Sequence, residues 1–288
     1  MMILKKRNSD LKNIYKRTIT GGLLVIIILA ALWLHPVSYL LLGAVLLAGS
    51  LYEYYRLVAR TGISPRRTAG FLTAGLSYIL SVMVSLGKAG PSIFIVLFLP
   101  VFFIMAAELQ RKNEYHLNNL AHTFFGVLYT ALPFCVFPFM AFNSWGPETS
   151  AGALNFNPRY MLAFFMLSWS FDTGAYIFGS WLGKNKLQDR ISPEKTWEGF
   201  FAGFIISLLT AWLISGWITW PDLTDWLIVA VIISTAGTIG DLIESMFKRN
   251  AGVKDSGSLL PGHGGVLDRF DSLIISLPLV YVFLALFG

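Results

Sequence analysis

An all-α bundle crossing a membrane about nine times is the fold this sequence predicts, on three observations. Hydrophobic residues make up 55% of the 288 residues and charged residues only 13%, with a mean hydropathy of +0.63. That leaves too little polar surface to cover a soluble protein. Apolar runs near the ~20 residues a helix needs to cross hydrocarbon recur along the whole chain. The short alternating segments of a transmembrane β-barrel do not appear.

In order, the predicted spans are 19–34, 37–58, 69–86, 91–107, 120–142, 160–182, 199–220, 226–243 and 270–287. The first follows six basic residues and ends at Trp33, Leu34, His35 and Pro36, a poor cleavage site, so it reads as a retained anchor rather than a signal peptide. Tyr52, Tyr54, Tyr55, Trp217 and Trp220 fall near span ends and are expected to form an interfacial belt. Glu53 and Glu108 are expected to reach toward the headgroups. Residues 1–142, with five spans, complete the bundle and shape a lipid-facing cavity. Residues 143–288, with four spans, carry two long charged loops, 183–198 and 247–267, in which function is expected to sit. A third polar loop, 143–159, falls on the other side.

The net charge of +6 is unevenly distributed. If the N-terminus is cytoplasmic, all but Lys88 and Arg159 of the 22 basic residues lie in cytoplasmic segments. The positive-inside rule then supports a cytoplasmic N-terminus, an external C-terminus at Gly288 and an odd number of spans. This pattern gives no case for a nucleic-acid partner. The lone cysteine, Cys135, excludes an intrachain disulfide, and four scattered histidines argue against a zinc site.

The richest chemistry lies in residues 245–271. Lys248, Arg249, Lys254 and Arg269 bring positive charge, Asp255, Asp268 and Asp271 bring hard oxygen ligands, and Gly262, Gly264 and Gly265 let backbone approach a ligand closely. Phosphate with a divalent cation suits such a mixture. The spacing of Ser245, Lys248, Arg249, Lys254, Asp255, His263, Gly264, Gly265, Asp268, Arg269 and Asp271 resembles the signature of the CDP-diacylglycerol synthases, or phosphatidate cytidylyltransferases. A second block, from Phe171 to Tyr176 and from Ile191 to Gly199, is similar to the same family, with Glu194 standing where its commoner form has Lys or Asn. The resemblance implies conversion of CTP and phosphatidate to CDP-diacylglycerol and pyrophosphate, a magnesium or similar divalent cofactor, a bacterial inner-membrane location with the active site facing the cytoplasm, and a homodimer.

Residue by residue, the bland reading stands beside the chemical one. Asp268 and Asp271, one turn apart at the start of the last span, suit either the helix dipole or a metal. Asp241, Glu244, Ser245 and Lys248 form one polar stripe on the eighth span, so Asp241 is either a metal ligand or half of an ion pair with a residue such as Arg269. Asp172, deep in the sixth span, needs a partner, either structural or in the same polar cavity as Asp241. Ser192 or Thr196 can cap the seventh span, whose N-terminus can bind an anion, while Lys195 offers a point charge to phosphate. His263 either donates to phosphate or steadies its turn. The catalytic set expected is Asp241, Asp268, Asp271 and Lys195, with Asp172 joining the three aspartates around a metal. Two rivals remain: a CTP-dependent polyprenol or phytol kinase, and a cation-coupled transporter using Asp172 and Asp241. Paired discontinuous helices, expected of many transporters, are not evident.

Overall fold

The computed structural model describes residues 20–112, 115–142, 156–259 and 264–287. Within them the chain is an all-helical bundle with one small hairpin. Eight helical stretches are long and apolar enough to cross a membrane, and the described part of the first predicted span, Thr20–Leu34 (α1), is a shorter apolar helix. Then come α2 (Pro36–Ala59), α3 (Arg67–Ser85), a 3-10 turn (Pro91–Leu97) running into α4 (Phe98–Leu109), and α5 (His116–Gly126), which a π turn (Val127–Ala131) joins to α6 (Leu132–Phe142). The second half holds α7 (Arg159–Leu182), β1 (Lys186–Gln188), β2 (Ser192–Thr196), α8 (Trp197–Ser215), α9 (Leu223–Asn250) and α10 (Leu267–Phe287).

Local chemistry accounts for the boundaries. His35 caps α2, its Nδ1 accepting from the Val37 N–H at 3.1 Å, and Pro36 occupies the first turn, where its missing N–H costs nothing. Thr196 caps α8 and Asp222 caps α9 in the same manner, accepting from Gly199 and Asp225. The π turn has a visible cause. Pro133 lacks the N–H that would close a regular turn on Tyr129, and the helix widens just before it.

Glycine sets the closest contacts of the second half. Gly174 and Gly179 on α7 face Gly203 and Gly199 on α8, where a Cβ at Gly199 would lie 2.7 Å from the Ala175 carbonyl. On α9, a Cβ at Gly240 would lie 2.4 Å from the backbone oxygen of Asp271 on α10. Small residues allow such approach between helices in lipid, where van der Waals packing replaces the hydrophobic drive. These two tight pairs fix the helices that carry Asp172, Asp241 and Asp271.

Several sequence expectations need correction. Tyr54 and Tyr55 are core residues, not a belt: the Tyr54 hydroxyl meets His122 Nδ1 at 2.9 Å and the Tyr55 hydroxyl donates to the Thr123 carbonyl at 2.8 Å. Tyr52 and Trp217 are exposed as expected. Glu53 and Glu108 are 0% and 2% exposed. Both are held inside the protein rather than at the headgroups, Glu108 by Arg66 and Asn119 and Glu53 through one of its oxygens. The loop 183–198 is ordered as an antiparallel hairpin pairing Lys186 with Thr196 and Gln188 with Ser192, with an irregularity between. The last long loop is shorter than expected, because α9 continues to Asn250 and α10 begins at Leu267.

Candidate active site

The C-terminal part of α9, the hairpin, the start of α10 and the C-terminal part of α2 meet at one end of the bundle. Glu198 locks the hairpin's base. Its carboxylate accepts from the backbone N–H groups of Lys184 and Asn185 and from the Asn185 side chain at 2.7 Å. The Trp197 N–H closes the turn on the Asn185 carbonyl at 2.9 Å. Arg249, at the end of α9, ties the hairpin to the loop beyond, donating to the carbonyls of Ile191 (3.4 Å) and Val253 (3.2 Å). Lys195 is thereby held over α9.

Two lysine-centred clusters result. In the first, Lys195 pairs with Asp241, and both side chains are about one third exposed (30% and 31%). The Ser245 hydroxyl donates to the other Asp241 oxygen at 3.3 Å. Asp172 on α7 interacts electrostatically with Lys195 and Asp241, and buried Asp271 on α10 interacts with Asp241, Lys195 and Asp172. Asp241 is thus the direct partner of Lys195, with Asp172 and Asp271 close enough to feel the same pair. Tyr129, on the π turn, buries its hydroxyl without a hydrogen-bond partner among the described residues and within electrostatic range of Asp271 and Asp241.

The second cluster is buried, and Asp268 is its most heavily bonded member. Lys248 lies between Glu244 and Asp268, at 2.8 Å from the latter. Asp268 Oδ2 also accepts from the Ser256 N–H (2.9 Å), the Ser256 hydroxyl (2.9 Å) and the Gly265 N–H (2.7 Å). Gly264 has φ 85°, and a Cβ there would stand 2.8 Å from that same oxygen. Glu53 reaches in from α2: its Oε2 accepts from the Leu267 N–H (2.8 Å), which would otherwise be a free donor in the first turn of α10, and lies 3.0 Å from the Ser256 hydroxyl, whose single proton it shares with Asp268. A Cβ on Gly257 or Gly265 would lie 2.2 Å from a Glu53 oxygen. Only glycine lets the loop fold onto this carboxylate.

Most of the residues singled out in the sequence are therefore brought together. Asp172, Lys195, Asp241, Ser245 and Asp271 form the first cluster, and Lys248, Gly264, Gly265 and Asp268 the second. Ser192 starts β2, and Thr196 caps α8 as expected of one of them. Arg249 is used by the backbone of the two loops. Lys254 is exposed and pairs loosely with Glu194 at 3.6 Å. Arg269 is exposed in the first turn of α10, while Asp241 takes Lys195 as its partner instead. His263 lies outside the described residues. Glu53 and Tyr129 were not found from the sequence.

A family model described as the cytidylyltransferase family matches residues 15–287. The chain belongs to the cytidylyltransferase family. Among curated proteins, this family member is similar to the phosphatidate cytidylyltransferases of Staphylococcus epidermidis and Staphylococcus haemolyticus, at 40% identity over 185 residues, and of Staphylococcus aureus, at 39% over 185 residues. Each match covers 64% of this chain and 66% of the relative, just under two thirds of the relative's length.

Donor chemistry at the first cluster fits a divalent cation. Among the described residues no three Asp, Glu, His or Cys side chains already form a cage. Magnesium does not require one, since it is usually held by one or two carboxylates together with water and substrate phosphates. Asp241 and Asp271 supply hard oxygens of that kind. Both oxygens of Asp268 are engaged by Lys248, Ser256 and Gly265, so ligation there would mean giving up those bonds.

Proposed function

We propose that this chain is a phosphatidate cytidylyltransferase that converts CTP and phosphatidate to CDP-diacylglycerol and pyrophosphate. The observation that carries the proposal is the accessible Lys195–Asp241 pair, with Asp172 and Asp271 in electrostatic range, at one end of a membrane bundle. A phosphatidate oxygen attacks the α-phosphorus of CTP, a new P–O bond forms, and the bond to pyrophosphate breaks. The nucleophile is already an anion, so little acid–base work is needed and positioning with charge balance carries the rate.

Lys195 supplies a mobile point charge to phosphate oxygens. The N-terminus of α8 beside it, capped by Thr196, favours anions. Asp241 and Asp271 would hold magnesium, with Asp172 adding negative charge nearby. When bound, the ion supplies neutralisation of triphosphate charge. Glu53, Ser256 and Asp268 hold the glycine-bearing loop and the start of α10, and with it Asp271. The glycines of the α7–α8 and α9–α10 contacts keep the carboxylates at this separation. By its basic residues this end of the bundle faces the cytoplasm of a bacterium, with the N-terminus on the same side and the C-terminus outside. The family resemblance extends the proposal to a homodimer.

Purified protein in detergent, given phosphatidate, magnesium and each of the four nucleoside triphosphates in turn, tests this. CTP alone should yield a nucleotide-lipid and pyrophosphate. EDTA should abolish the reaction and excess magnesium restore it. Formation of CDP and a phosphorylated alcohol would instead favour a lipid kinase, and undiminished turnover in EDTA would remove the metal from the account.

A further inference from the structure

A second charged feature lies on the first half of the bundle, on helices that carry none of the catalytic carboxylates. The start of α3 and the end of α4 enclose an open groove of about 670 Å³ whose lining includes Arg66, Arg67, Thr68, Leu72, Gln110 and Arg111. Its basic wall is organised from beneath. Glu108, 2% exposed, accepts from Arg66 Nε at 2.5 Å and from Asn119 Nδ2 at 3.2 Å, and lies 3.8 Å from Arg111. Arg111 also donates to the Ser64 carbonyl at 2.7 Å, and the Arg66 backbone N–H to Thr123 Oγ1 at 2.8 Å. One buried carboxylate thus fixes two guanidinium groups against one rim.

Arg67 is different. It is exposed, and its guanidinium has no partner among the described residues. Three arginines against one glutamate leave the groove with net positive charge. Helix α3 also begins without a side-chain cap, and Thr68 and Ala69 of its first turn, where backbone N–H groups lack helical partners, line the groove. These are the elements of a phosphate site: preorganised guanidinium donors, a hydroxyl and a helix start.

The surroundings favour a lipid as the source of that phosphate. Phe98, Phe102, Met105 and Leu109 are all exposed at helical spacing, one apolar stripe along α4 that ends at the groove, where Leu109 is 88% exposed. On α3, Leu72 (70% exposed) and Ile79 form a second stripe leading away from the same place. A headgroup in the groove would leave its acyl chains lying along these stripes. Arg66, Arg67 and Arg111 also belong to the basic segments that mark one side of the membrane. We propose that the α3–α4 groove is a docking site for the phosphate headgroup of an anionic phospholipid, separate from the catalytic cluster.

The test uses the purified full chain in neutral detergent, loaded with phosphatidylglycerol or with phosphatidylcholine and read by native mass spectrometry. Phosphatidylglycerol should be retained in preference to phosphatidylcholine. Arg67→Gln should lower its retention about fivefold, the effect of one basic side chain near an anionic headgroup. Arg159→Gln, outside the groove at the start of α7, should leave retention unchanged. Phosphatidylglycerol with a photoreactive headgroup should label wild-type peptides spanning 66–72 and 107–112, a result that does not depend on any variant. Equal retention of the two lipids, insensitivity to Arg67→Gln, or labelling confined to other helices would overturn the proposal. Displacement of the lipid by millimolar inorganic phosphate would also overturn it, by assigning the groove to a free anion.

Discussion

The two lysine clusters at the end of α9 use the same residue types to opposite ends. Around Lys248, one ammonium meets Glu244 and Asp268, the side chains are 12%, 0% and 7% exposed, and Asp268 is saturated with donors from its own loop. Around Lys195, both members of the pair are about one third exposed, and two further aspartates lie within electrostatic range. A buried ion pair resists rearrangement, because removing either partner strands the other. An accessible pair can exchange partners with ions and phosphates. The difference separates a scaffold from the proposed reaction site within a few turns of one helix, although sequence alone makes Asp268 and Asp271 look equivalent.

That comparison can be broken by substitution. Asp241→Asn keeps size and hydrogen bonding but removes charge from the accessible cluster, so turnover should fall about 100-fold or more with the fold intact, the scale of a lost catalytic metal contact. Assaying labelled CTP conversion at matched folded protein checks this, and normal turnover would mean the pair with Lys195 is only structural. Lys248→Met attacks the other cluster. Leaving Glu244 and Asp268 uncompensated should cost about 3–5 kcal/mol of stability, seen as a lowered thermal midpoint in detergent. An unchanged midpoint would show that the second cluster is not a scaffold. Lys195→Ala should be milder, raising the apparent KM for CTP about tenfold and lowering kcat less, while Lys195→Arg keeps part of the activity. Lys88→Ala, removing an exposed charge on the loop after α3, should be silent in the same assays.

The membrane bundle was legible in the sequence because a helix in hydrocarbon needs a long apolar run, and such runs are hard to mistake. Ends were less so. The polar stripe from Asp241 to Lys248 looked like an exit from the membrane, yet the backbone stays helical to Asn250. The segment from Ser192 to Thr196 is short, polar and interrupted by Pro193, so nothing in its periodicity announces a strand; its pairing is fixed by Glu198 and by Asn185, across the turn. Glu53 sits among tyrosines near a span end, where an acid looks interfacial, and its partner Ser256 lies 203 residues away. Tyr129 could have been suspected only from Pro133. Lys195 and Asp241 were both singled out in the sequence, but their pairing depends on the hairpin and was not.

Asp268→Asn and Asp271→Asn compared side by side, with thermal midpoint and CTP turnover measured on the same preparations, test the division most directly. Asp268 holds a loop, so Asp268→Asn should lower the midpoint and lose activity together. Asp271 is a buried carboxylate facing two others, so Asp271→Asn should keep or raise the midpoint while turnover falls about 100-fold or more. Near-normal turnover in Asp271→Asn, or a stable Asp268→Asn beside an unfolded Asp271→Asn, would contradict the assignment of scaffold and reaction site.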